Sequence, residues 1–210
     1  MTGYDLDPKA SEKLLAQSLG PIREELAQAD PALRARAAGG VWDGENITLT
    51  CWDKDYTLSY PELVAYCNGQ EANTFFQAIL LHYLKRATGA PLTGRWVSLR
   101  ELPEGLFYVR AFQGYTGDRL VRNVDGAGLE KACRKLAALV GGSRGNLGDL
   151  FYSFPVLPRV VLGLIYWQGA EGFPPRISIL FDAASSDYLP TDVLAIVGSF
   201  VTGQLLRAAG

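Results

Sequence analysis

Apolar positions along this 210-residue chain change their spacing several times, and each change predicts a new structural element. Leu14, Leu15, Leu19, Ile22 and Leu26 recur at roughly helical spacing, which predicts a helical region over the first forty residues. Pro21 and Pro31 each suit the first turn of a helix, because proline has no N–H to donate and a preset φ. Two or three short helices are therefore expected, ending at Gly39 and Gly40. From Asn46 to Trp52 the period drops to two, with Ile47, Leu49 and Cys51 alternating with Thr48, Thr50 and Trp52, and a strand is predicted. Asp53-Lys54-Asp55 supplies a turn, and Tyr56 to Tyr60 returns as a hairpin partner that Pro61 stops.

Helical spacing resumes at Asn73 or Thr74, both suitable N-caps, and runs through Phe76, Ile79, Leu80, Tyr83, Leu84 and Ala87 to Gly89. Arg95 to Leu99 and Leu106 to Phe112 read as two strands that pair across the turn Pro103-Glu104-Gly105. The stripe Leu129, Cys133, Leu136 and Val140 predicts a helix over about Gly128 to Val140, closed by Gly141 and Gly142. Leu150 to Phe154, Arg159 to Trp167 and Arg176 to Asp182 read as strands, and near-continuous apolar runs in the last two point to central strands covered on both faces. Pro190 and Asp192 open a C-terminal helix carrying Leu194, Val197, Phe200, Val201 and Leu205. The pattern predicts the α+β class: a mostly antiparallel sheet with hairpins, packed against several helices including N-terminal and C-terminal ones. A single domain spanning residues 1–210 is expected, with a helical segment over 1–40 and a core over 45–210.

Composition narrows the function classes. At 48% hydrophobic residues the chain can bury a core without disulfides or metals. Its 20 basic and 22 acidic side chains nearly cancel, so it lacks the basic footprint that phosphate neutralisation needs, and nucleic acid is not an expected partner. The start, Met1 to Glu12, is polar and carries Asp5, Asp7 and Pro8, unlike a signal peptide. Val160 to Trp167 and Val193 to Leu206 fall short of the roughly 20 apolar residues a membrane span takes, so both read as core and no membrane association is expected. A cytoplasmic protein is expected. Cys51, Cys67 and Cys133 are odd in number and widely spaced, which fits reduced thiols rather than a disulfide or zinc framework.

Few residues carry chemistry. His82 is the sole histidine, which removes sites that need two imidazoles. It lies beside Phe75, Ile79 and Arg86 at the edge of the apolar face. It reads either as a boundary histidine hydrogen-bonded locally or as an axial ligand to an iron or cobalt tetrapyrrole, which needs one protein nitrogen and an apolar wall. The glycine-rich run Gly141 to Asp149 follows a helix and precedes a strand, the reverse of a phosphate loop, and reads as a cap and connection. Glu101, Asp149, Glu171, Asp182, Asp187 and Asp192 are dispersed, and spacing does not show convergence. Asp182, at the end of a buried strand, calls for an ion pair with Arg100 or Arg176, or a capping role. Aromatics such as Trp96, Trp167, Phe107, Tyr108, Phe151 and Phe173 read mostly as core, though a flat cofactor would find stacking partners among them.

Several blocks together resemble a known family: Leu81-His82-Tyr83-Leu84, Gly94 through Pro103, Tyr166-Trp167-Gln168-Gly169, Ile179-Leu180-Phe181-Asp182 and Tyr188-Leu189-Pro190. They resemble the domain of unknown function 3786 family, found largely in anaerobic bacteria and archaea, from about residue 45 to the end. Relatives tend to read Gly-Asp-Glu-Glu-Phe after the tryptophan. Here Ala170 and Gly172 replace two of those acids, which removes ligands that a metal site at that turn would use. The resemblance implies an anaerobic context and a link to iron–sulfur or corrinoid metabolism. The resulting expectation is a non-catalytic accessory protein that binds a small ligand or cofactor, haem or a corrinoid, in an aromatic-lined pocket. Its site residues are expected to be His82 as metal ligand with Phe75, Tyr83, Trp96, Arg100, Trp167, Phe173 and Asp182. The alternative is a protein-interaction module with no small ligand; an enzyme built around Arg100, Glu171 and Asp182 is the third reading. Oligomeric state is not legible in the sequence.

Overall fold

The computed structural model describes residues 8–210, with side chains from residue 15 onward. The polar start up to Asp7, on which the expectation of no signal peptide partly rests, lies outside the described residues, as does the Leu14 side chain. The protein is α+β, with two antiparallel five-stranded sheets. The chain divides into two compact units. The first runs up to Leu92 and includes Leu157–Arg159 and Ala184–Pro190; the second comprises Thr93–Val156, Val160–Ala183 and Thr191–Gly210.

In the first unit, helix α1 (Pro8–Leu26) continues through Pro21 rather than breaking there as expected. Leu15, Ile22 and Leu26 are all buried, and keeping the helix intact keeps them on one face, which offsets the hydrogen bond lost at proline. Helix α2 (Pro31–Ala37) begins at Pro31 as expected, with the Asp30 carboxylate accepting from Ala32 and Leu33 N–H groups at 2.9 and 3.1 Å. A meander follows in sequence order, β1 (Val41–Trp42), β2 (Asn46–Cys51), β3 (Lys54–Ser59), β4 (Ala65–Cys67) and β5 (Gln70–Glu71). Ile47, Leu49 and Cys51 alternate inward opposite Leu58, Tyr56 and Lys54, so the period-two pattern produced the strand it predicted. Helix α3 (Thr74–Arg86) then starts at the predicted cap, where Asn73 accepts from the Phe76 N–H at 3.2 Å.

The second unit opens with β6 (Trp96–Ser98), which pairs with the last strand and not with residues 106–112. The strand predicted over Leu106–Phe112 is instead a 3-10 turn, Gly105–Phe107, followed by helix α4 (Val109–Tyr115). Gly105 explains the turn, since a Cβ there would overlap the Leu99 carbonyl and only glycine lets the chain fold back so closely. Phe112 explains the helix: its ring lies where a Cβ on Gly198 would be, in a fit that local alternation does not reveal.

Helices α5 (Gly117–Asn123) and α6 (Gly126–Val140) follow, then β7 (Arg144–Gly145), β8 (Leu150–Leu157), β9 (Val160–Trp167), β10 (Arg176–Asp182) and α7 (Thr191–Ala209). The glycine-rich run expected to be a plain connection thus contributes an edge strand, β7. The sheet order is β6-β10-β9-β8-β7, which places β9 and β10 inside the sheet.

Register assigns the two faces of this sheet. Arg176 lies opposite Trp167, Leu180 opposite Gly163 and Ser98, and Asp182 opposite Trp96, so these residues share one face. Tyr166, Leu164, Ile177 and Phe181 share the other, where Tyr166 meets Gly126 of α6 and Phe181 meets Phe112 of α4. Helix α7 has 19 residues and is, by length and composition only, long and apolar enough to cross a membrane, and it is longer than the Val193–Leu206 stretch expected to fall short. Val193, Leu194, Val197, Val201 and Leu205 on it are buried, each contributing about 1.5–3 kcal/mol to the unit's core.

Candidate functional site

The eight expected site residues fall into two groups: Phe75, His82 and Tyr83 lie on α3 in the first unit, and Trp96, Arg100, Trp167, Phe173 and Asp182 in the second. On α3 the polar groups are already engaged. Tyr83 is fully buried; its hydroxyl donates to the Ala38 carbonyl at 2.7 Å and accepts from the Arg159 N–H at 3.0 Å. Its ring stacks on Tyr188 at 5.5 Å, and burial pushes its phenol well above the usual range.

His82 is half-buried, with Nε2 3.0 Å from Ser18 Oγ of α1. Ser18 Oγ also donates to the Leu15 carbonyl at 2.7 Å. A hydroxyl has one proton, so with that proton on Leu15 the imidazole donates Nε2–H to the serine oxygen. His82 thereby ties α3 to α1. Phe75 packs edge-on against Phe76 at 5.0 Å, and Phe76 stacks on Tyr56.

Gln77, which the sequence reading passed over, is the most connected polar side chain of α3. Its Oε1 accepts from the Ala65 N–H at 3.0 Å and Arg23 Nη2 at 3.1 Å, and the two protons of its Nε2 are shared among the Ala65 carbonyl, the Ala72 carbonyl and Glu71 Oε1, each at 3.3 Å. A solitary glutamine in an apolar helical run is the signal that would have marked it, because buried amides need partners.

In the second unit Asp182 serves as a loop cap. Its carboxylate accepts from the Thr93 N–H, Thr93 Oγ1 and the Gly94 N–H at 2.7–3.1 Å, which fixes the entry to β6. Trp96 meets Phe151 edge-on at 5.0 Å above Gly163, where a side chain would collide with both rings. Arg100 is exposed on the 3-10 turn Leu99–Glu101.

Trp167 and Phe173 come together. They line an open groove of about 490 Å³ with Asp149, Gln168, Ala170 and Pro174, at the end of β9 and in the connection to β10. Trp167 is 41% exposed and Phe173 77%, well above what core aromatics show. The groove's backbone is braced. Ala170 and Phe173 exchange N–H···O bonds of 3.0 and 2.8 Å, and Gly172 takes the left-handed φ of +86° that this tight turn requires. Asp149 donates its N–H to the Tyr166 carbonyl at 2.9 Å, and its Oδ2 accepts from the Gln168 N–H at 2.7 Å. A second open groove, about 530 Å³, lies among Arg119, Asn123, Asp125 and Leu206, where Asp125 caps α6 by accepting from the Gly128 N–H.

Burial, with a nearby carboxylate, pushes the Cys51 and Cys133 thiols up to about 12, so both are held neutral. Among the described residues no three His, Cys, Asp or Glu side chains gather into a metal-binding group.

These features define an α+β protein in which the α3 polar side chains bond to neighbouring protein groups, and in which two of the exposed aromatics, Trp167 and Phe173, stand on a braced hairpin, while Phe107 is exposed elsewhere, on the 3-10 turn. The chain belongs to the family described as Domain of unknown function (DUF3786), whose model matches residues 30–204. No curated protein and no solved structure matches the chain.

Proposed function

We propose that this protein is a non-catalytic interaction module that holds a partner protein on the Trp167–Phe173 hairpin. The observation that carries the reading is the joint exposure of these two rings on one groove whose backbone is already hydrogen-bonded in place. Large rings supply much of the energy at protein interfaces, and a rigid hairpin loses little freedom when it is covered. The haem or corrinoid reading requires an axial nitrogen from His82, whose Nε2 is engaged with Ser18.

One experiment separates the two. The protein is purified anaerobically from its native host beside a Trp167→Ala/Phe173→Ala double variant, and any stoichiometric companion is identified, produced separately and recombined. A colourless complex that reforms from the two pure components and weakens about tenfold or more in the double variant supports the module. Equal affinity of both forms overturns it. A haem or cobalamin titration that changes the spectrum with the native protein and not with His82→Ala returns the function to cofactor binding.

A further inference from the structure

Taking that hairpin as the binding element, we propose that the groove accepts a cationic side chain, lysine or arginine, from the partner protein, seated against the Trp167 and Phe173 rings and paired with Asp149. Aromatic rings present negative faces to cations, and two exposed rings line this groove. The groove also carries a carboxylate. Asp149 is oriented by the Gln168 N–H on Oδ2, and a carboxylate has about four accepting sites, so most of its capacity faces outward. Glu171 at the hairpin turn is exposed and negative but, like Arg176, does not line the groove.

Arg176 lies opposite Trp167 across the β9–β10 pair, on the same face as that ring though outside the groove lining, so the incoming cation is placed away from it, on the Asp149 side. An anion seated on the Asp149 side would face that carboxylate directly. The openness of the groove points to a protein as the source. Small-molecule sites cover most of their ligand, and this groove leaves one side uncovered, which the rest of a partner chain would close.

The test uses the full chain and short blocked peptides with lysine, arginine, leucine or glutamate at the centre, followed through the Trp167 indole N–H resonance, which Trp167→Phe identifies. Lysine and arginine peptides are expected to shift that resonance and to bind about threefold or more tighter than the leucine peptide. Asp149→Asn, whose Oδ1 can still accept from Gln168, is expected to erase that preference, and raised salt to reduce it. Phe173→Leu keeps the apolar bulk and should weaken the cationic peptides more than the leucine one.

Equal binding of leucine and lysine peptides, or an Asp149→Asn variant that keeps the preference, overturns the cationic assignment and leaves the hairpin as the binding element. Butylamine binding as tightly as the lysine peptide replaces the partner side chain with a free amine and overturns that part. If no peptide shifts the resonance and the reconstituted complex ignores the double variant, both readings fall.

Discussion

Helix α3 and the hairpin after β9 are both rich in aromatic and polar side chains, and they use them in opposite ways. On α3, Tyr83, Gln77 and His82 each meet protein groups at hydrogen-bonding distance, and their rings and amides lie inside the first unit or half within it. On the hairpin the backbone groups bond one another and Asp149, leaving the Trp167 and Phe173 rings toward solvent. The difference shows that aromatic content alone does not mark a site. A ring whose surroundings are complete stabilises the fold, whereas an exposed ring on a rigid backbone is free to meet something else.

Substitutions can break this contrast, and the largest effect is expected at Gln77. Gln77→Ala leaves the Ala65 N–H and carbonyl without their side-chain partner and should cost about 3 kcal/mol in a urea titration. A cost near zero would show that the α3 network is incidental. Tyr83→Phe keeps the ring and removes the bonds to Ala38 and Arg159, with an expected cost of about 2 kcal/mol.

Base tests burial away from both regions, at Cys51 on β2 and Cys133 on α6. The Cys51 and Cys133 thiols rise from 9.0 to about 12 in the fold, so both are essentially neutral in either state well below pH 9. Around and above pH 9 the unfolded chain ionises first, and stability is lost progressively as pH climbs toward 12, by about 1.4 kcal/mol per thiol at one unit above the unfolded value. Denaturation midpoints that stay constant between pH 8 and 10.5 would contradict this. In the same samples an aromatic disulfide reagent at pH 8 should modify the half-buried Cys67 and spare Cys51 and Cys133 until the protein unfolds.

His82→Ala removes one bond to Ser18 and should cost about 1 kcal/mol, measured in the same way. The smallest change is expected on the hairpin: Trp167→Ala and Phe173→Ala should each shift stability by only about 0.5 kcal/mol. A loss of several kcal/mol there would mean that these rings are part of the packing, and the contrast with α3 would vanish.

Much of this architecture was legible along the chain. Ile47, Leu49 and Cys51 announced β2 by alternation, Leu129, Cys133 and Leu136 announced α6 by helical spacing, and Asn73 and Asp182 were recognised as places where a cap or partner was due. Residues 106–112 were misread because their order depends on the close approach of Gly105 to Leu99 and on the seat of Phe112 over Gly198. Of the proposed groove, Trp167 and Phe173 were named from the sequence, as companions of His82, Phe75 and Tyr83, which belong to the other compact unit.

What the sequence determined by itself is the type and approximate extent of most elements, because helix and strand impose different periods on neighbouring residues and burial of one face follows from the period. Only the tertiary structure decided which polar groups find partners and which rings stay bare. Ser18 meets His82, and Asp182 meets Thr93, through separations of 64 and 89 residues. No local pattern encodes such meetings, because they depend on how distant segments come together when the core closes.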